Sequence, residues 1–68
     1  MDEQPVTIEF MHGPSDAATL CVPRYRLRRG QPVEIRRCYH IYRSLIAWNG
    51  AADWIKVYDR GHVPAGVP

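Results

Sequence analysis

The sequence predicts a mostly β fold, a small antiparallel sheet or open barrel of about four strands with room for one short helical turn. Three observations carry this. Val6-Thr7-Ile8-Glu9-Phe10-Met11 alternates β-branched or aromatic residues with polar ones, the period of a half-buried strand. Residues 33–46 are rich in β-branched and aromatic side chains. Asn49-Gly50 is the strongest short-range hairpin signal in the chain, because both central residues of a type I′ turn need positive φ.

Taken in order, the first strand directs Val6, Ile8 and Phe10 to the core. His12-Gly13-Pro14-Ser15-Asp16 then supplies turn formers, and Thr19-Leu20-Cys21-Val22 resumes an extended apolar pattern up to Pro23. These make a hairpin with a loop longer than two residues. Residues 24–32, with Gly30, Pro32 and a dense charge run, form an exposed loop or arm in which Tyr25 and Leu27 alternate with Arg24, Arg26 and Arg28. The longest strand follows over residues 33–46. Val33, Ile35, Tyr39, Ile41 and Leu45 share one parity, Glu34, Arg36, Cys38, His40 and Tyr42 share the other, and a bulge is expected near Arg37. Asn49-Gly50 joins it to a strand beginning near Asp53-Trp54; a helical turn at Ala51-Ala52-Asp53-Trp54 is the competing local reading. Trp48 and Trp54, flanking the turn, are expected as a cross-strand or core pair, and on the surface they would mark an interface. Residues 61–68, with two glycines and two prolines, are expected as an irregular tail.

The 68 residues make one domain, 1–68. A chain of about 60 residues buries only ~60% of the surface its unfolded form exposes, so a homo-oligomer is expected to complete the core. A hydrophobic share of 46% and a charged share of 24% are those of a folded domain. The acidic N-terminus lacks a basic, then apolar, secretory pattern, and no apolar run approaches the ~20 residues that span a bilayer, so a cytoplasmic protein without a membrane partner is expected. In that compartment Cys21 and Cys38 are expected as buried thiols.

Charge is segregated along the chain. Seven of the eight arginines lie within residues 24–43 beside a single acid, a net +6, while two cations and six acids elsewhere give −4. Tyr25, Tyr39 and Tyr42 are interleaved with them. Guanidinium groups fork onto phosphate or carboxylate oxygens and stack on flat rings, so an Arg/Tyr surface suits a ligand with both phosphate and an aromatic base. Arg24, Tyr25, Arg26, Arg28, Arg36, His40 and Tyr42 are the candidate ligand-binding residues.

No other chemistry is signalled. His12, His40 and His62 show no metal-ligand spacing, and no motif links Ser15, Ser44, Cys21 or Cys38 to a base. No enzyme, no metal and no cofactor is expected.

A strand, then His12-Gly13-Pro14-Ser15-Asp16-Ala17-Ala18, then a second strand resembles the small orphan proteins of tailed phages and prophages that open strand, Gly-Gly-Pro-x-Asp-Gly, strand. Tyr39-His40-Ile41-Tyr42-Arg43 is similar to their recurrent Tyr-x-x-Tyr-Arg strand. The chain departs from the pattern with His12 at the first glycine and Ala17 at the last. The resemblance implies a compact β fold, a phage origin and residence in the host cytoplasm. Joined to the arginine surface, it implies a non-catalytic binding protein for an anionic, nucleotide-type ligand, in one version a sponge for a host immune signal. The alternative is a protein–protein inhibitor of a host defence or other host enzyme, and the third reading is a nucleic-acid-binding module.

Overall fold

The computed structural model describes residues 4–62. They form five strands, β1 (Val6–Met11), β2 (Thr19–Val22), β3 (Pro32–Arg37), β4 (His40–Ala47) and β5 (Trp54–His62). One sheet in the order β2-β1-β5-β4-β3 curls into a half-barrel. The fold is mostly β as expected, with five strands, and its helical structure is confined to lone 3-10 turns at Gly13–Ser15 and Arg24–Arg26. Neighbours are antiparallel except β1 and β5, which run parallel with Thr7 opposite Trp54 and Met11 opposite Tyr58. A tight turn cannot join parallel neighbours. The β1–β2 hairpin and the β3–β4–β5 meander are therefore each local, and their docking is long-range.

The alternation in β1 does what its period requires. Val6, Ile8 and Phe10 are fully buried, and Val57, Tyr42, Val33 and Trp48 close around them. Burying such a side chain contributes roughly 1.5–3 kcal/mol, which makes this cluster the main source of stability.

Residues 33–46 are two strands, not the expected single one. Cys38 (φ 53°) and Tyr39 (φ 63°) are both left-handed and connect the paired Arg37 and His40 as a two-residue turn of the I′ kind. The turn exchanges the inward parity, since Ile35 lies opposite Tyr42. Tyr42 and Ser44 are consequently buried, while Tyr39 and Leu45, expected inward, are exposed. The ladder irregularities fall between Pro32 and Glu34 and between His40 and Tyr42 instead of at Arg37. Ser44 repairs the first of these: its hydroxyl accepts the Val33 N–H at 2.9 Å and donates to the Ile46 carbonyl at 2.7 Å.

Asn49-Gly50 does lie between two antiparallel strands, but in a longer loop. Asn49 Oδ1 accepts the N–H groups of Ala51 and Ala52, both at 2.8 Å, so the side chain builds the turn itself. The helical turn considered at Ala51-Ala52-Asp53-Trp54 does not form, because Trp54 opens β5. The expected tryptophan pair is also split. Trp48 is buried and donates from Nε1 to the Ala52 carbonyl at 3.2 Å, while Trp54 is 58% exposed. Gly61 and His62, expected in the irregular tail, belong to β5, and the rest of that tail lies outside the described residues. Both cysteines are free and exposed, correcting the buried expectation: Cys21 is on the edge strand β2 and Cys38 in the β3–β4 turn. Among the described residues, no helix is long and apolar enough to cross a membrane.

Candidate functional site

Strand register gives the half-barrel two ends. At one, Val6 pairs Val22 and Pro32 pairs Ala47; at the other, His40 pairs both Arg37 and His62. The arginines, continuous in sequence, are divided between them. Arg24, Arg26, Arg28 and Arg29 belong to the connection at the first end, Arg36 and Arg37 to the second, and Arg43 lies between, spanning 3.2 Å to Glu34.

At the first end the two edge strands of the half-barrel face each other across a cleft of about 450 Å³. Leu20 and Val22 of β2 form one wall, Val33 and Ile35 of β3 the other, and Arg26 and Arg28 line it from the connecting loop. Small-ligand sites occupy roughly 300–1,000 Å³ and combine apolar walls with a few placed polar groups, and this cleft has both properties. Among the described residues neither Arg26 nor Arg28 makes an ion pair, and Glu34, the acid in the cleft, is engaged by Arg43. The local field is therefore cationic. Tyr25, next to Arg26 in the chain, is 79% exposed and lies outside the cleft lining.

Arg24 is differently employed. Its guanidinium donates to the Gln4 carbonyl (3.2 Å) and the Ala52 carbonyl (3.4 Å), pairs with Asp53, and lies 5.8 Å from the Trp48 ring centre. It staples the segment before β1 to the β4–β5 loop.

The second end holds His40 and Tyr42. Tyr42 is fully buried, edge-on to Phe10 with ring centres 4.8 Å apart, and its hydroxyl accepts the Ser15 N–H at 3.2 Å. Arg37 covers the same Phe10 ring at 5.2 Å. His40 Nδ1 donates to the Asp59 carboxylate at 2.9 and 3.0 Å, and the Gly61 N–H adds a third bond at 3.0 Å. These bonds, first that from His40 and then that from Gly61, hold the Asp59 carboxyl below its ordinary value of 3.8, assisted by the charges of His40 and His12. Gly13 is required here, because a Cβ would lie 2.5 Å from Asp59 Oδ2 and 2.7 Å from the Tyr42 hydroxyl.

A depressed carboxyl contributes stability above its unfolded value, and that contribution is lost as pH falls through the lower folded value. The thermal midpoint of the protein should thus fall with pH below about 3.8, and Asp59→Asn should flatten that acid limb. Parallel melting curves for the two proteins from pH 5 down to pH 2 would refute it.

Backbone strain is concentrated at this end. Among the described residues, His12 (φ 69°, ψ 177°), Ala17 (φ 67°), Cys38 and Tyr39 are the non-glycine residues with positive φ, and all lie in its two turns. The left-handed conformation costs an ordinary residue about 1–2 kcal/mol, against about 0.4–1 kcal/mol of unfolded-state entropy introduced by glycine. Ala17→Gly is accordingly expected to stabilise the protein, by on the order of 0.5 kcal/mol in chemical denaturation. A loss of stability would show that the Ala17 methyl group makes a compensating contact.

The fold thus unites Arg26 and Arg28 at one cleft and leaves Tyr25 outside its lining. It separates them from Arg36, exposed on β3, and from His40 and Tyr42 at the opposite end, and it commits Arg24 to a structural staple. The apolar cleft walls went unrecognised in the sequence because Leu20 and Val33 become neighbours only when the sheet curls. Asp59 carries no local signal at all; only the register of β4 on β5 brings it to His40. The fold also sets His62 beside the His40–Asp59 pair, its ring centre 5.4 Å from that of His40. Among the described residues, however, no three His, Cys, Asp or Glu side chains come together to hold a metal ion. Comparison with protein-family models, with curated proteins and with solved structures finds no match to this chain.

Proposed function

We propose that this protein is a non-catalytic binding protein that holds an anionic, nucleotide-type ligand in the cleft between β2 and β3. The carrying observation is the convergence of Arg26 and Arg28, free of ion pairs among the described residues, on a cleft with apolar walls. The guanidinium groups would take the phosphates, and the base would rest against Leu20 and Val33. The phage-orphan resemblance supports a setting in the host cytoplasm, where sequestering a nucleotide immune signal requires binding alone. A homo-oligomer fits the small core. A second reading, an inhibitor that captures an acidic peptide strand of a host enzyme, is favoured by the two edge strands bordering the cleft, whose outer backbone groups are available for strand addition.

Titration calorimetry with cyclic and linear nucleotides tests the first reading. A nucleotide should bind with a shallow salt dependence, and the paired change R26A/R28A should weaken it about 10²- to 10⁴-fold, since each of the two lost hydrogen bonds to a charged group contributes roughly 1.5–3 kcal/mol. R26K/R28K retains charge but loses the fork, and should also bind less tightly than the arginine form. Equal affinity of the arginine and lysine forms, or steeply salt-dependent binding to random oligonucleotides, would favour a nucleic-acid-binding module instead.

A further inference from the structure

The β4–β5 hairpin opens at its loop end. Its ladder runs from His40 opposite His62 to Ser44 opposite Val57 and stops there, although β4 continues to Ala47 and β5 begins at Trp54. Between the parted strands lies a groove of about 440 Å³, lined mainly by apolar side chains that include Leu45, Ile46, Trp54 and Ile55. Leu45 is 70% and Ile46 79% exposed, and with Trp54 they form a contiguous group of large apolar side chains in water. Such a group, grooved and aromatic, marks an interaction surface. The β2–β3 cleft is elsewhere, so the assignment stands independently of the ligand reading.

We propose that this opened hairpin end is the interface of a homodimer, its occupant being the same segment of a second copy. The patch carries both halves of a self-complementary contact, the groove itself and the exposed Leu45, Ile46 and Trp54 side chains that form its walls. A two-fold axis can therefore seat each copy's exposed wall in the other's groove. Its charges are also matched for self-association. Lys56 lines the groove, and Glu9, its cross-strand partner on β1, accepts the Trp54 indole N–H at 2.9 Å. One cation and one anion in neighbouring positions let two copies meet without like-charge repulsion, and offer no net field to attract a strongly charged partner. Size points the same way, since the monomer core is a single buried cluster and a chain this short leaves much apolar surface in water.

Sedimentation and light scattering from low to high micromolar concentration test the proposal on the full chain. The wild type should show twice the 7.8 kDa chain mass, and L45E and I46E, at exposed positions, should shift it to one chain mass with an unchanged circular dichroism spectrum. L20E, in the β2–β3 cleft, and R26A/R28A should remain dimeric, which separates failure here from failure of the ligand reading. A wild-type protein that stays monomeric throughout the range, or L45E and I46E variants that keep the doubled mass, would overturn it.

Discussion

Tyr42→Ala should remove about half or more of the protein's folding stability. A chain of this length has a total stability of roughly 3–10 kcal/mol, at about 0.05–0.15 kcal/mol per residue. Emptying a fully buried aromatic site typically costs about 3–5 kcal/mol. Tyr42 has no exposed surface and packs edge-on against Phe10 at 4.8 Å, so the void would open at the centre of the core. Tyr42→Phe keeps the ring and removes only the acceptor of the Ser15 N–H, and should cost about 1–2 kcal/mol with the fold intact. Circular dichroism and urea titration of both variants read the difference. A well-folded Tyr42→Ala variant that had lost only ligand affinity would return Tyr42 to the binding surface that its place among the arginines predicts.

Arg24→Ala is expected to destabilise by about 2–3 kcal/mol, whereas Arg26→Ala should stay within about 0.5 kcal/mol of wild type. The two residues are identical in type and nearly adjacent, so the contrast isolates position. Arg24 bonds two backbone carbonyls, pairs with Asp53 and lies against the Trp48 ring. Arg26 has no ion pair among the described residues and lines the cleft. The Asp53 pair itself adds little, because that carboxylate is largely exposed to solvent. Most of the loss should come from the severed tie to the Gln4 carbonyl and from the uncovered indole, since the Ala52 carbonyl keeps its bond from Trp48 Nε1, and Arg24→Lys should recover only a fraction of it. Chemical denaturation checks the order. Equal stabilities for Arg24→Ala and Arg26→Ala would remove the staple, and unchanged stability with lost nucleotide affinity would place Arg24 in the site.

The strands were legible wherever short-range pattern and side-chain direction coincide. Val6, Ile8 and Phe10 point inward because a strand has period two, and the β1–β2 hairpin follows from the turn formers between them. Cys38-Tyr39 was not legible as a turn. Left-handed backbone normally announces itself through glycine, asparagine or aspartate, and here it is imposed on a cysteine and a tyrosine by the strands either side. Missing that turn misassigned the faces of everything from Tyr39 to Leu45, since a shift of one position exchanges inside for outside. Asn49-Gly50 misled in the opposite sense. It marked the correct connection, while the Asn49 side chain, bonded to two backbone N–H groups, widened it into a loop.

The site shows the same division. Composition and charge order by themselves determined that the chain is a small β-rich domain with a cationic, arginine-dominated segment suited to anions, because those properties depend on residue types and local spacing. Which arginines act together was decided only by the tertiary structure. Reversal at Cys38-Tyr39 and the curl of the sheet carry Arg36 and Arg37 to one end and leave Arg26 and Arg28 at the other, beside walls contributed by β2 and β3. Burial of Tyr42 and the parallel docking of β1 on β5 were likewise decided at long range. Their free energy comes from packing between segments far apart in sequence, and no local pattern of residues encodes the partner that a side chain will meet.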